Sequence, residues 1–453
     1  MQPFAAMVET IRQVPVQAIA ERRVSKRARR PAAGTIVSMT DHGDSSTAVS
    51  WDEARRIAHA AGAAAPLTPV ETDLASCDGR ILAEDVTALV DLPPFDSSRV
   101  DGYAVRGPGP WTLVDAALLE REGTAVRIAT GGMLPGGTDA IVRAEEMEVG
   151  ADGRIDGRID RRIHGHPRSR REWRTQGEQA HVGDLLVPAG TPVTPAVIGT
   201  AASAGHDRLS VYPHPRLAMI LLGSETLAQG LPDAGRIRDA LGPQLPLWAR
   251  RLGVEVVSVA GPESVVDDTT TAHRLALEHA IASGADLIAT VGGNTYGSVS
   301  TLRRTLADLR AEYLLDTVRA RPGKAMRLAR IPRPDGVTSA LMVGMPASPQ
   351  PALLTLLTLI APAYAGMTGR ALPDLPTVTL AAPAPGRGDE TRLVPARFDR
   401  NGHVCPVEHE SPKAVHGLAG FAGFAVIAPG TDGAVGDRIP FLYLPITPAE
   451  SSL

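Results

Sequence analysis

Between residues 213 and 366, short apolar runs alternate with helical patterns, and this alternation restricts the possible folds more than any other feature of the chain. Near-continuous apolar strands that alternate with helices are typical of a parallel sheet covered on both faces. In such sheets, ligands bind beyond the carboxyl ends of the strands. We therefore predict an α/β domain with strands at 216–222, 254–260, 286–291, 314–320 and 338–344, and helices at 236–252, 267–284, from Ser298, and at 351–366.

The bulk composition excludes several classes of protein. The 453 residues suffice for several domains, and a formal net charge of -4 gives no sign of a nucleic-acid or membrane partner. The two cysteines, Cys77 and Cys405, are too few and too far apart for a disulfide framework, which fits a reducing, cytoplasmic compartment. The apolar run from Pro351 falls short of the ~20 residues of a membrane span, so we predict a buried helix.

The remaining segments also have readable patterns. Residues 1–45 are predicted to be a disordered basic leader, with a nucleic-acid arm or a targeting peptide as alternatives. Helical punctuation predicts a helix from Ser50 that ends at Gly62, and a second short helix at 73–85. Short apolar runs between Gly, Pro and Asp predict β structure at 96–170, where the repeated "DGRID" resembles two halves of an edge strand, and a small β-barrel at 367–453. His164 and His166 are either a metal site or part of an exposed basic loop.

Two stretches in the β region could face a ligand. "FDSSRVDGYAV" concentrates Asp101 with serines in a constrained loop, and "IATGGMLPGGTDAIV" places Thr130 before two glycine-rich turns. Backbone N–H groups of such turns can form an anion-binding nest. Both stretches also fit ordinary turns whose side chains bond their own backbone. The residue types alone leave these alternatives open.

Four stretches of the α/β region could contribute to a ligand site. "LLGSETL" puts Glu225 after the first strand, and "VGGNTYGSV" puts Gly292 and Gly293 after another. Asp267 and Asp268 open the next helix, where one acts as a cap and the other could face the crevice. "VRARPGKAM" groups Arg321 and Lys324 around a Pro-Gly turn, which suits a phosphate or is a solvated turn.

Together, "LPPFDSSRVDGYAV", "ATGGMLPGGTDAIVRAEEMEV", "GSETL", "VGGNTYGSV", "RPGKAM" and "GMPASP" resemble, in order and spacing, the motifs of the molybdopterin molybdenumtransferase family. This is the MoeA type, related to the gephyrin E domain, and the resemblance covers about residues 48–453. It implies a multi-domain α/β plus β fold, with an elongated four-domain protomer. The implied domains are domain I at 46–95 and 171–212, the β insert or domain II at 96–170, the α/β pterin-binding domain III at 213–366, and the C-terminal β-barrel or domain IV at 367–453.

The resemblance also implies a homodimer whose cleft lies between domain III of one subunit and domain II of the other. The implied reaction takes adenylylated molybdopterin and molybdate, with Mg²⁺, and releases AMP; other molybdenum cofactor biosynthesis proteins are implied partners. The implied catalytic residues are Asp101, Glu225 and Asp268, and the last two would hold the metal. The implied substrate-binding residues are Thr130, Arg174, Gly292, Gly293, Thr295, Gly297, Ser300, Arg321, Lys324, Pro346 and Pro349.

The sequence departs from the family pattern at four positions. Gln179 and Ser300 stand where the family has aspartate, and Leu241 and Ser348 stand where it has asparagine. Each change removes a charge or a two-sided hydrogen-bonding group. A catalytically impaired paralogue that binds a pterin or nucleotide, or acts as a scaffold, is therefore the alternative to an active transferase.

Overall fold

The structure is a computed structural model of the chain. It describes residues 48–115, 119–149, 154–157, 172–232, 235–260, 266–267, 269–293, 298–407 and 419–445, with the backbone alone at 147–149, 154–157 and 298–300. The chain divides into the units Met1–Ser45 and Ser46–Leu453, and all described residues belong to the second. The predicted leader, the pair His164 and His166, and the second half of the repeated "DGRID" lie outside the described residues.

A six-stranded sheet forms the centre of the α/β region. Its spatial order is β18, β15, β19, β23, β22, β20, with the bounds β15 Arg216–Leu221, β18 Glu255–Ala260, β19 Leu287–Val291, β20 Glu312–Leu315, β22 Arg327–Pro332 and β23 Ser339–Met345. The first four strands in this order are parallel, as predicted. Leu221, Val291 and Met345 are in register, so three strands end at one level.

The prediction of a wholly parallel sheet was wrong, because β22 runs antiparallel to both of its neighbours. A tight turn joins β22 to β23. In it, the Asp335 carboxylate accepts the N–H groups of Val337 at 2.9 Å and Thr338 at 2.8 Å. Only antiparallel strands can be joined by so short a connection. The sequence analysis assigned no strand to residues 327–332.

Helices cover this sheet, although not all where predicted. They are α3 Leu245–Arg251, α4 Thr270–Ala282, α5 Ser298–Asp308, α6 Pro349–Thr355 and α7 Ala361–Met367, with a π-helical turn at Leu356–Ile360 between the last two. The helix predicted at 236–252 begins only at Leu245. Gly242 precedes Pro243, which disfavours helical backbone there. The cap of α4 is Thr269, whose hydroxyl accepts the N–H of Ala272 at 3.1 Å, rather than one of the two preceding aspartates.

Residues 312–321 form two strands that belong to different sheets, so the single strand predicted at 314–320 was wrong. The chain turns at Asp316, whose carboxylate accepts hydrogen bonds from Arg303 and, at 2.6 Å, from Nε of Arg327. These contacts hold the corner where the chain leaves β20. Beyond the corner, β21 Val318–Arg321 joins the C-terminal sheet described below.

Helix α1, Trp51–Ala63, packs closely against α7 through two glycines. A Cβ atom on Gly366 would lie 2.1 Å from the carbonyl oxygen of His59, and one on Gly62 would lie 1.9 Å from that of Ala363. The helix begins at its Ser50 cap as predicted, with the Ser50 hydroxyl accepting the N–H of Glu53 at 3.1 Å. The prediction that Gly62 ends the helix was wrong. Gly62 lies within α1, at the contact with α7.

Most of the chain before β15 forms small β units, which are antiparallel except for the parallel pairing of Thr112–Leu113 with Thr124–Ala125 in the β insert. The β insert is a six-stranded sheet as far as it is described, in the order β10, β11, β7, β8, β6, β9, with β6 Gly102–Arg106, β7 Trp111–Leu113, β8 Thr124–Ile128, β9 Ala140–Arg143, β10 Met147–Val149 and β11 Arg154–Gly157. The short sheets pair β2 Val70–Asp73 and β3 Ile81–Leu82 with β14 Arg208–Tyr212, β4 Val86–Thr87 with β13 Leu185–Val187, and β5 Ser97–Ser98 with β12 Trp173–Arg174, beside α2 Pro195–Ser203. The helix predicted at 73–85 is only a 3₁₀ turn, Leu74–Ser76, because the following residues enter β3.

The C-terminal region is a mixed sheet with an open strand order. The order is β1, β21, β25, β27, β28, β24, with β26 also paired to β25. Over the described residues no closed barrel is present, so the predicted β structure is confirmed and the predicted barrel is not. The strands not yet given are β1 Val49–Ser50, β24 Thr377–Thr379, β25 Thr391–Phe398, β26 Val404–Pro406, β27 Gly423–Ile427 and β28 Arg438–Tyr443.

One helical segment in the described part of the chain, Pro349–Met367, is long and apolar enough to cross a membrane by length and composition alone. Its mean hydropathy is 1.3, and 94% of the segment is buried inside the fold. It is therefore a core helix, as predicted. Near its middle, Trp51 Nε1 donates a buried hydrogen bond to Thr358 Oγ1 at 3.0 Å.

The α1–α7 contact predicts the effect of adding one methyl group. We expect Gly366→Ala to lower the free energy of unfolding by about 1–3 kcal/mol, because the helices must separate to accommodate the new Cβ. The matched control is Gly199→Ala in α2, where a Cβ would meet nothing within 4 Å. That change should raise stability by up to about 1 kcal/mol. Denaturant unfolding of both variants measures the difference, and equal effects would contradict the close contact.

Candidate active site

A cavity of about 480 Å³ opens beyond the carboxyl ends of the parallel strands, and we call it the strand-end cavity. Strand ends, the segment 237–241 and the start of α6 form its walls. Its lining residues are Leu221, Leu222, Glu225, Thr226, Ile237, Arg238, Asp239, Ala240, Leu241, Val291, Ala347, Ser348 and Pro349. Most of these side chains are apolar, so the cavity suits a ligand with a flat apolar part and a few charged groups.

Glu225 is held in this wall by the backbone on both sides of it. Gly223, with φ +127°, turns the chain after β15, and its carbonyl accepts the N–H of Thr226 at 3.2 Å. The Glu225 carbonyl accepts the N–H of Ile237 at 2.9 Å. This bond connects β16 Thr226–Leu227 to β17 Ile237–Arg238. The structure thus places Glu225 at the crevice that its position after the first strand predicts.

Asp239 is a second carboxylate on the same wall, and the sequence analysis did not single it out. It is 8% exposed, and it accepts the N–H groups of Leu241 at 2.8 Å and Gly242 at 2.9 Å. These bonds stabilise a turn at residues 239–242, after which α3 begins at Leu245. An aspartate followed within three residues by Gly-Pro is a turn signal that could have indicated this role. Leu241, beside it, is buried and contributes an apolar surface.

The glycine turn after β19 brings two chain segments into close approach. A Cβ on Gly292 would lie 2.5 Å from the carbonyl oxygen of Leu222, and both Gly292 and Gly293 have positive φ. Only glycine fits the first position without moving the neighbouring backbone. Thr295, Gly297 and Asp268 lie outside the described residues, and for Ser300 the structure gives only the backbone in α5.

A second cavity, of about 440 Å³, borders the loop 346–349 at Pro346, and we call it the basic cavity. Four cationic side chains line it: Arg321, Lys324, Arg387 and Arg392. Arg321 and Lys324 come from the "RPGKAM" stretch at the end of β21, and Arg387 and Arg392 come from the turn before β25 and from the start of β25. Pro346 lines the basic cavity and Pro349 the strand-end cavity, so both predicted prolines border a cavity. The sequence analysis missed Arg387 and Arg392, because only the fold brings β25 beside β21.

Asp101 and Thr130 form a compact pair in the β insert. One Asp101 oxygen accepts the Thr130 backbone N–H at 2.7 Å and the Thr130 hydroxyl at 2.9 Å. These two hydrogen bonds lower the pKa of Asp101 below its usual value, so its exposed carboxylate stays ionised at neutral pH. Arg174 lies exposed on β12. None of the three lines the strand-end cavity or the basic cavity.

The four departures from the family pattern fall in different places. Leu241 and Ser348 line the strand-end cavity, whereas Gln179 is exposed in the turn before β13. The side chain of Ser300 is not described. Within the described residues, no group of three or more His, Cys, Asp or Glu side chains could hold a metal ion. A metal at Glu225 or Asp239 would therefore need ligands from the substrate or water.

Two family models and several named relatives match the sequence. Residues 49–205 match the family model described as "MoeA N-terminal region (domain I and II)", and residues 218–365 match the "Probable molybdopterin binding domain". The molybdopterin molybdenumtransferase of Staphylococcus aureus is 27% identical over 365 residues, which cover 73% of this chain and 82% of that protein. The protein of the same name from Nostoc sp. is 28% identical over 317 residues, with coverage of 66% and 69%.

Solved structures share the fold. A crystal structure of the molybdopterin biosynthesis MoeA protein from Pyrococcus horikoshii superimposes with a TM-score of 0.70 and 21% identity, covering 88% of this chain and 99% of that one. A second structure from the same organism gives 0.68 and 18%. The two family models follow each other in the expected order across both the β and the α/β regions. The chain therefore belongs to the MoeA-type molybdopterin molybdenumtransferase family.

Proposed function

We propose that the protein acts in molybdenum cofactor biosynthesis, where it inserts molybdenum from molybdate into adenylylated molybdopterin and releases AMP. Relatives of the same family carry the name molybdopterin molybdenumtransferase. The observation that carries the proposal is the pair of cavities that both border the loop 346–349. One has mostly apolar walls with two carboxylates and one arginine, and the other has four cations. The adenylylated pterin requires apolar surface for its rings, and the oxyanion requires positive charge.

The strand-end cavity fits the adenylylated pterin. Leu222, Leu241 and Val291 offer apolar surface to a ring system. The glycine turn lies at the carboxyl end of β19 and leads into the N-terminus of α5 at Ser298. Free backbone amides at a helix N-terminus favour phosphate groups. The pyrophosphate of the substrate would lie against this turn, with its rings along the apolar wall.

The basic cavity fits the oxyanion. Guanidinium groups present several N–H donors in a plane and bind tetrahedral oxyanions through paired hydrogen bonds. In the described part of the chain, neither Lys324 nor Arg387 has an ion-pair partner. Their charges are therefore available to molybdate, or to a phosphate that reaches the cavity. Arg321, Lys324 and Pro346 keep the substrate-binding role that the motifs predict for them.

The donor set also fits Mg²⁺ that arrives with the substrate. Mg²⁺ prefers oxygen ligands and is usually held by one or two carboxylates together with substrate phosphates and water. Glu225 and Asp239 supply carboxylate oxygens on one wall, and Asp268 is a further predicted ligand. The bound ion would neutralise the charge of the phosphates. Asp239 already accepts two backbone N–H groups, so Glu225 is the more available ligand.

We also propose that the protein is a homodimer of elongated four-domain subunits, in which the cleft is completed across the subunit boundary. Asp101, Thr130 and Arg174 are polar and exposed, yet they line neither cavity of their own chain. A second subunit would bring such a set to the cleft from outside. Asp101 then acts from the partner's side, with its ionised carboxylate directed by Thr130.

The reaction itself is tested with purified protein, adenylylated molybdopterin, Mg²⁺ and molybdate, following AMP release. We expect release by the wild type and a loss of about 10²-fold in Glu225→Gln, the scale on which one charged group stabilises a transition state. The control is Glu278→Gln, which alters an exposed ion pair with Arg274 on α4 and should leave the rate unchanged. Pterin binding without AMP release by the wild type would contradict the transferase and indicate a binding-only paralogue.

Mixed dimers test the shared cleft. We expect Asp101→Asn and Lys324→Ala homodimers to be inactive, whereas a purified mixed dimer of the two should recover about half of the wild-type rate, because one of its two clefts is intact. AMP release measures the recovery. A mixed dimer of Glu225→Gln and Lys324→Ala is the control and should stay inactive, since both changes lie on the same side of the cleft. Recovery in neither pair would show that each cleft is built from one chain.

A further inference from the structure

Arg321, in the wall of the basic cavity, forms an ion pair with Glu390. Arg321 Nε donates to Glu390 Oε2 at 2.9 Å. The Glu390 side chain is 18% exposed, whereas that of Arg321 is 44% exposed. Glu390 is therefore largely enclosed by the protein, while the guanidinium it holds remains accessible to the cavity that Arg321 lines.

A tight turn fixes Glu390 in this place. Its N–H donates to the carbonyl of Arg387 at 3.2 Å, and Gly388 between them has φ +60°. The next residues enter β25, where Arg392 is the register partner of Arg321 on the parallel strand β21. The stretch "RGDETR" therefore places Arg387 and Arg392 in the wall of the basic cavity, and its Glu390 carboxylate pairs with Arg321 of the neighbouring strand.

The other cations of the cavity differ from Arg321. Lys324 and Arg387 have no carboxylate partner within the described residues. One Nη of Arg392 donates to the neutral carbonyl of Pro385. Glu390 thus directly offsets the charge of Arg321. Because a guanidinium has five N–H donors, the bond at Nε leaves the four Nη donors of Arg321 for a ligand.

A purely structural role explains this pair poorly. Ion pairs with an exposed partner contribute little to stability, and backbone hydrogen bonds already join β21 to β25. The carboxylate instead lowers the positive electrostatic potential of the cavity. A unit charge several ångströms away substantially changes the binding free energy of a dianion at a protein-like dielectric constant.

We propose that Glu390 is an affinity-determining residue of the basic cavity: it orients Arg321 and lowers the positive potential, so that a dianionic tetrahedral oxyanion binds and exchanges rather than staying trapped. This inference rests on the proposed function, because it takes the oxyanion substrate to bind in the basic cavity. A cavity with a higher positive potential would also retain other dianions, such as phosphate. The carboxylate keeps the cavity available to the oxyanion that must react.

Equilibrium binding of molybdate, and separately of inorganic phosphate, to the whole protein tests the proposal. Glu390→Gln keeps an oxygen that can accept from Arg321 but removes the charge. We expect it to bind molybdate about three- to tenfold more tightly at low ionic strength. The gain should shrink as salt screens the site. In the AMP-release assay, the KM for molybdate should fall, while that for adenylylated molybdopterin stays unchanged.

Two further variants separate charge from general disturbance. Glu390→Asp keeps the negative charge, and its affinity for molybdate should stay within about twofold of that of the wild type. Glu312→Gln makes the same substitution in the ion pair with Arg330, on a strand that lines neither cavity, and should change nothing. Unchanged or weaker molybdate binding by a folded Glu390→Gln overturns the proposal while the proposed function stands. No binding of either oxyanion by the wild type would remove the role of the basic cavity altogether.

Discussion

The burial of the helical segment Pro349–Met367 is the constraint on which the rest of the structure depends. One hydrophobic cluster joins this segment to α1, to one face of the central sheet and to aromatic residues of the C-terminal sheet such as Phe424. Helix α1 can approach it only because Gly62 and Gly366 carry no side chain. The first residues of the same segment line both cavities, with Pro349 in the strand-end cavity and Pro351 in the basic cavity. Packing in the core therefore sets the position of the loop at which the two proposed substrates would meet.

Charge is distributed unevenly around that loop. The carboxylates Glu225 and Asp239 line the strand-end cavity together with one cation, Arg238, whereas four cations line the basic cavity. A pyrophosphate and an oxyanion repel each other in solution, so a protein that joins their chemistry must offset both charges separately. The arrangement meets this demand with cations on one side and, on the other, carboxylates that can share a divalent ion with the substrate. Glu390 then adjusts the cationic side.

Local patterns predicted the features that depend on local sequence. The glycine turn, the position of Glu225 and the parallel strands follow from apolar runs that end in Gly and polar residues, and the sequence showed them. Features that depend on distant partners were missed or wrong. Arg387 and Arg392 were found only through the pairing of β21 with β25, and Gly62 was taken for a helix end because its contact with α7 is remote in sequence. Asp239 was missed for another reason, since the Gly-Pro that follows it is a local turn signal that the sequence analysis did not use.

The division of residues 312–321 between two sheets affects how the chain folds and whether its C-terminal region can be produced as a separate fragment. Strand β21 lies between β1 and β25, so the C-terminal sheet takes two of its strands from chain that precedes it by many residues. Such long-range pairing forms late in folding. Residues 367–453 made alone would expose the side of β25 that β21 covers, and an uncovered strand edge invites association with other chains. The C-terminal sheet is thus not a separable module. Two of the four cations of the basic cavity, Arg321 and Lys324, lie at the end of β21 or just after it, and a C-terminal fragment would lack them.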